Sequence, residues 1–192
     1  SAASDVYKRQ PYKDELGLVS TRDIGFHHRH KPAVAGDRAK WMFMPNAREH
    51  GVSCPAQPFV VGGGFIQYAQ TVVVCEGQWD AITLAAAAGW LASEASWPER
   101  IAVFGTRGAG GWRTLLDAWL PHCRPDARFV LFRDADDAGA QWTATGGFRD
   151  TLRAAGHRAR VIFSATAGAK DLNDLHRVQP LTRNAIHDWI SL

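Results

Sequence analysis

The chain reads as an α/β protein built on a parallel sheet, and three observations say so. Four runs of strand length are largely apolar: Thr71–Cys75, Ile101–Phe104, Arg128–Phe132 and Arg160–Phe163. Segments with helical spacing or helix-favouring composition separate them. An acid follows the first run directly, a glycine the second, an acid the third after Arg133, and an acid the fourth after a short loop. Strands that are apolar throughout and alternate with helices form parallel sheets covered on both faces, joined by right-handed crossovers. The expectation is a Rossmann-like, four-stranded parallel sheet flanked by helices over residues 70–180. A small β-rich subdomain at 1–69 precedes it and a C-terminal helix at 181–192 closes it.

Each element has its own justification. In the front third, Leu18–Phe26 alternates loosely and Lys40–Met44 is a second short strand candidate, while Pro45-Asn46 and Gly62-Gly63-Gly64 are breakers. Ser1–Gln10 is polar and lacks the apolar run of a secretory signal. It reads as a remnant of cloning or of sequence assembly, in a chain that is a piece of something longer, and is set aside from the fold. After the first core strand, Gln78–Ala88 is Ala-rich and favours helix, with Gly89 as the stop. Trp112, Leu115, Leu116, Trp119 and Leu120 fall on one helical face. A helix is expected over Gly139–Ala155, weakened by Gly146-Gly147, and another over Leu181–Leu192, carrying Ile186, Trp189 and Ile190.

Composition narrows the class. Apolar residues make up 46% of the 192, enough for a core and unlike a disordered, collagenous or coiled-coil chain. No stretch approaches the roughly 18 apolar residues of a membrane-spanning helix. Cys54, Cys75 and Cys123 are odd in number, far apart and in no C-x-x-C pair, which fits a reducing, cytoplasmic setting. The net charge of +3 is uneven: residues 1–69 hold nine Lys/Arg against six Asp/Glu, and residues 70–192 hold thirteen of each. A basic excess of this kind suits phosphate contact.

The acids carry the functional signal. Glu76 follows the first core strand, Asp134-Ala135-Asp136 follows the third after Arg133, and Asp171 lies in Lys170-Asp171-Leu172-Asn173-Asp174 beyond the fourth. Asp80 sits in the first turn of the helix after Glu76. The C-terminal ends of parallel strands share one edge, where ligands bind, so these acids should converge. Gathered carboxylates repel unless a cation neutralises them, and hard oxygen donors select Mg²⁺ or Mn²⁺. That is the chemistry of metal-assisted phosphoryl transfer.

At these residues the sequence resembles a topoisomerase–primase (Toprim) domain of the kind in phage, plasmid and bacterial-type DNA primases. The matching segments are Val74-Cys75-Glu76-Gly77-Gln78-Trp79-Asp80-Ala81, Val103-Phe104-Gly105-Thr106, Leu131-Phe132-Arg133-Asp134-Ala135-Asp136-Asp137-Ala138-Gly139 and Lys170-Asp171-Leu172-Asn173-Asp174. Four motifs in the family's order span about residues 71–176. The resemblance implies that Glu76 is a metal ligand or general acid/base, that Asp134 and Asp136 are the metal-binding pair, and that Asp80 and Asp171 line the same site beside Lys170. The second acid of the bacterial K-D-x-D form is Asn173 here, which tilts the likeness toward phage or plasmid primase–helicases. The implied activity is Mg²⁺-dependent synthesis of RNA primers from ribonucleoside triphosphates on single-stranded DNA, a DNA-directed nucleotidyltransferase of DNA replication. A replicative helicase in cis or in trans is the implied partner. Two other functions share the domain: a Toprim nuclease, and a non-catalytic DNA-binding module of recombination or repair.

Other signals are weaker. His27, His28 and His30 invite a metal, but no Cys or acid pair nearby completes a set of four. With Arg29, Lys31 and Lys40 they read better as a basic surface for template phosphates. The glycine-rich turn Gly105–Gly111 lacks the Lys-Ser/Thr of a P-loop, although Arg107 lies within reach of a phosphate there. The eight Trp residues sit mostly at core spacing.

Overall fold

A computed structural model of the chain describes the strands at 6–13, 19–29, 41–43 and 59–61 and residues 66–92, 98, 100–106, 108–163 and 168–191. Strands β1 (Val6–Lys13), β2 (Val19–Arg29) and β3 (Trp41–Phe43) form an antiparallel sheet in the order β1-β2-β3, with Val6 opposite His27 and Arg29 opposite Trp41. The segment Ser1–Gln10, set aside on composition, thus contributes to β1 from Val6 onward. Its partner is the next strand, β2, and polarity alone does not reveal the pairing.

The second sheet holds β4 (Phe59–Val61), β5 (Thr71–Cys75), β6 (Ile101–Gly105), β7 (Arg128–Arg133) and β8 (Arg158–Phe163) in the order β4-β6-β5-β7-β8. The four strands β5 to β8 are mutually parallel, as expected. This is the parallel α/β architecture that the Toprim resemblance implied. One element differs. Phe59–Val61, assigned from sequence to the front third, pairs antiparallel with β6 and covers that edge of the sheet.

Helices α1 (Gln78–Ala87), α2 (Trp112–Trp119), α3 (Asp137–Ala140), α4 (Phe148–Ala154), α5 (Leu172–Val178) and α6 (Arg183–Ser191) cover both faces. The chain runs from β5 outward to β6, then back past β5 to β7 and on to β8. Right-handed crossovers therefore place α1 on one face and α2 and α4 on the other. The two cores follow from the strand period of two. Val72 and Val74 join Phe104, Trp119, Trp142 and Phe148 on the α2–α4 face. Val73 and Cys75 join Leu84, Phe132, Leu172 and Ile186 on the α1–α5–α6 face.

The expected single helix over 139–155 is two short ones. Gly146 takes a positive φ of 70°. A Cβ on Gly147 would run into the Gln141 carbonyl, so the chain turns there before α4. Gly89, with φ 76°, does end α1 as expected: its N–H donates to Ala86 O at 2.9 Å, and Trp90 N–H donates to Ala85 O at 3.0 Å.

Candidate functional site

Strand order reverses at β5, so the crevice between the C-terminal ends of β5 and β7 is the switch point where open α/β sheets bind ligands. Cys75 at the end of β5 is opposite Phe132 in β7, and the next residues along each strand are Glu76 and, after Arg133, Asp134. The Glu76 N–H donates to Phe132 O at 3.0 Å, continuing the ladder. On its other side Thr106 donates its hydroxyl to Glu76 O at 2.9 Å. Glu76 is 4% exposed, and its Oε2 accepts from Asp134 N–H at 3.1 Å. Two of the five acids expected to converge are thus joined, through the Asp134 backbone amide.

Asp80 lies in the first turn of α1 and is 6% exposed. Its Oδ1 accepts from Asn173 N–H at 3.1 Å and from Asn173 Nδ2 at 2.9 Å. Its Oδ2 occupies the space a Cβ on Gly77 would need, which explains the glycine in the Glu-Gly-x-x-Asp spacing. Asp136 is the N-cap of α3, with Oδ1 accepting from Gly139 N–H at 2.9 Å. Asp171 is the N-cap of α5, with Oδ1 accepting from Asp174 N–H at 2.8 Å. Each cap satisfies a first-turn amide that the helix itself leaves open. The two loops are joined by Ala135 N–H donating to Lys170 O at 2.8 Å and by Lys170 Nζ at 3.5 Å from Asp136 Oδ2.

The electrostatics show these acids sharing one field. Burial first, then Glu76, Asp80, Asp171 and Asp136, push the Asp134 carboxyl up to about 7. Burial first, then Asp171, push Asp80 up to about 6. Burial also raises Glu76, opposed by the bond from the Asp134 amide. The bond from Gly139, followed by Lys170, holds Asp136 below the usual carboxylate range, while Asp136 in turn raises Lys170. The fully buried Cys75 thiol is raised by burial and then by Asp80 and Asp134.

A hard divalent cation fits this donor set. All five acids offer oxygen, and Glu76, Asp80 and Asp134 are pushed up in pKa by burial and by neighbouring carboxylates, a repulsion that a cation would relieve. As the side chains stand, no three His, Cys, Asp or Glu among the described residues are gathered around one ion. Four of the five have an oxygen committed to a backbone amide, and the other oxygen of Asp136 faces Lys170.

The structure therefore brings together Glu76, Asp80, Asp134, Asp136, Asp171 and Lys170. Arg29 ends β2, and nothing is described of its side chain; Lys31, Lys40, Arg107 and His30 lie outside the described residues. Two residues at the site had no role assigned from sequence. Thr106 was noted only as part of a Gly-Thr pair. Thr83, three residues after Asp80 on the same face of α1, donates to Asn173 Oδ1. That i, i+3 spacing was the signal available.

No protein-family model matches the chain, and no curated protein matches it. Among solved structures it is similar to a chain of the complex of bacteriophage T7 lagging-strand DNA polymerase with the primase domains of two gp4 subunits bound to an RNA/DNA hybrid and dTTP. The identity is 18%, the TM-score is 0.45, and the match covers 97% of this chain and 77% of that chain.

Proposed function

We propose that the chain is the catalytic part of a DNA primase, joining ribonucleoside triphosphates into a primer on single-stranded DNA with Mg²⁺ or Mn²⁺. The observation that supports it most is the meeting of Glu76, Asp80, Asp134, Asp136 and Asp171 at the switch point, in the order and spacing of the Toprim motifs. Asp134, Asp80 and Asp171 would hold the cation, with Asp136 and Glu76 at its margin. When bound, the cation supplies charge neutralisation at the triphosphate and activation of the attacking hydroxyl.

The chain's own groups do the rest. Glu76, buried and raised in pKa, would take or return a proton at the reacting hydroxyl. Lys170, more than half exposed beside Asp136, offers its ammonium to a phosphate arriving from solvent. The basic front third, with Arg29, Lys31 and Lys40, would lead the template toward Asp134, and Arg107 would meet a phosphate at the β6–α2 turn. A replicative helicase, joined in cis or recruited in trans, would supply the unwound strand.

The test is incorporation of labelled ribonucleotides on a single-stranded DNA template with Mg²⁺. Glu76→Gln and Asp134→Asn should each lower incorporation by about 10²-fold or more, since loss of several kcal/mol of charge stabilisation is a tenfold loss per ~1.4 kcal/mol. Mg²⁺-dependent cleavage of the template without synthesis would instead assign the same acids to a nuclease. DNA binding that neither variant alters, with no turnover, would assign a non-catalytic module.

A further inference from the structure

Asn173 stands where the bacterial form of the motif has an acid, and its bonds give that change a consequence. An ionised Asp80 can only accept, so the Asn173 side-chain NH₂ must face Asp80 Oδ1, where Nδ2 sits at 2.9 Å. The amide oxygen is then turned to Thr83, whose hydroxyl donates to it. The Asn173 backbone N–H, an otherwise open first-turn amide of α5, donates to the same Asp80 oxygen at 3.1 Å. Two donors thus converge on Asp80 Oδ1, while Oδ2 is directed over Gly77, beside Glu76 at the end of β5.

We propose that Asn173, oriented by Thr83, is a positioning residue that locks one oxygen of Asp80 and presents the other to the cation. The inference rests on the metal-site reading of the preceding subsection. An acid at 173 has no side-chain donor in its ionised state, so it would leave Asp80 Oδ1 with the backbone N–H alone and add a repelling charge. An amide keeps Asp80 aimed without adding charge. Outer groups that hydrogen-bond a ligating carboxylate commonly set metal affinity by 10- to 100-fold. Thr83 and Asn173 are both half-buried, so trimming them leaves the cores intact.

The experiment is titration of the apo protein with Mn²⁺ followed by electron paramagnetic resonance of the free ion, with thermal unfolding of each variant alongside. Asn173→Ala should weaken Mn²⁺ by about tenfold, at the lower end of that range. Thr83→Val should weaken it by several-fold, and the double variant should be no weaker than Asn173→Ala alone, because the two act as one chain of bonds. Thr83→Ser keeps the hydroxyl and should keep the affinity. If wild type binds Mn²⁺ and both Thr83→Val and Asn173→Ala bind it equally well, whatever their melting temperatures, the positioning role is overturned while the metal site stands. If wild type binds no Mn²⁺, the metal site itself is overturned and this role with it.

Discussion

At the scale of single residues, the site depends on small side chains as much as on acidic ones. Gly139 lies on the first turn after the Asp134-Ala135-Asp136 loop. A Cβ there would meet the Asp134 carbonyl and come within 2.9 Å of Glu76 Oε2. Neither atom can withdraw freely, because Glu76 Oε2 already accepts from the Asp134 amide. Gly139→Ala should therefore destabilise by about 1–3 kcal/mol, as overpacking does, although Ala favours helix over Gly by roughly 1 kcal/mol. Denaturant unfolding measures the balance of the two, and a net gain in stability would show that the loop yields. The residues of this network were legible to different degrees. Glu76, Asp80, Asp134 and Asp171 stood out because acids beyond parallel strands must share an edge. Thr83 did not, because a threonine on an Ala-rich helix looks like surface until the helix opposite it is known.

At the scale of elements, the segment between β7 and β8 shows how packing replaces helical continuity. With the glycines breaking the expected helix, α3 is only one turn long and is held by its Asp136 cap and by Trp142. Trp142 is fully buried, donates its indole N–H to Ala109 O at 2.9 Å and meets Phe148 edge-on at 5.1 Å. It joins the turn after β6 to the loop that carries two of the acids. Trp142→Ala should cost about 3–5 kcal/mol. Trp142→Phe should cost less, on the order of 1–3 kcal/mol for the unpaired Ala109 carbonyl. Equal losses for the two would mean that the hydrogen bond matters and the ring's volume does not. The four parallel strands and the helices α1 and α2 were readable because their apolar periodicity is strong. The antiparallel β4 was not, since three residues between breakers carry no period, and its pairing with β6 is set by the sheet edge left open. The pairing of β1 was hidden because Val6–Lys13 is largely polar.

At the scale of the whole molecule, charge is divided between two regions. Residues 70–192 hold equal numbers of acids and bases, so the net charge of +3 belongs to residues 1–69. If that region leads the template, replacing Arg29, Lys31 and Lys40 together should weaken single-stranded DNA binding and flatten its dependence on salt, since each neutralised phosphate releases about 0.7 counterion on a single strand. An unchanged salt slope would place the template path elsewhere.

The central claim is that the switch-point carboxylates are a strained charge cluster completed by a divalent cation, and the pH dependence of stability tests it most directly. Asp80 and Asp134 are raised in the folded state to about 6 and about 7, so between pH 4 and pH 7 these two groups bind more protons in the native protein than in the unfolded chain. Stability contributed by these groups is present below about pH 4 and is lost as the pH rises through the folded values. Buried Asp80 accounts for on the order of 2–3 kcal/mol, and the solvent-screened Asp134 for a smaller share. Thermal unfolding of the apo protein from pH 5 to pH 8 should therefore show a falling melting temperature. Millimolar Mg²⁺ should restore it at pH 8 in wild type, and Asp134→Asn should flatten the fall and blunt the Mg²⁺ effect. A melting temperature that is constant or rises over this range, and that Mg²⁺ leaves unmoved, would contradict the claim.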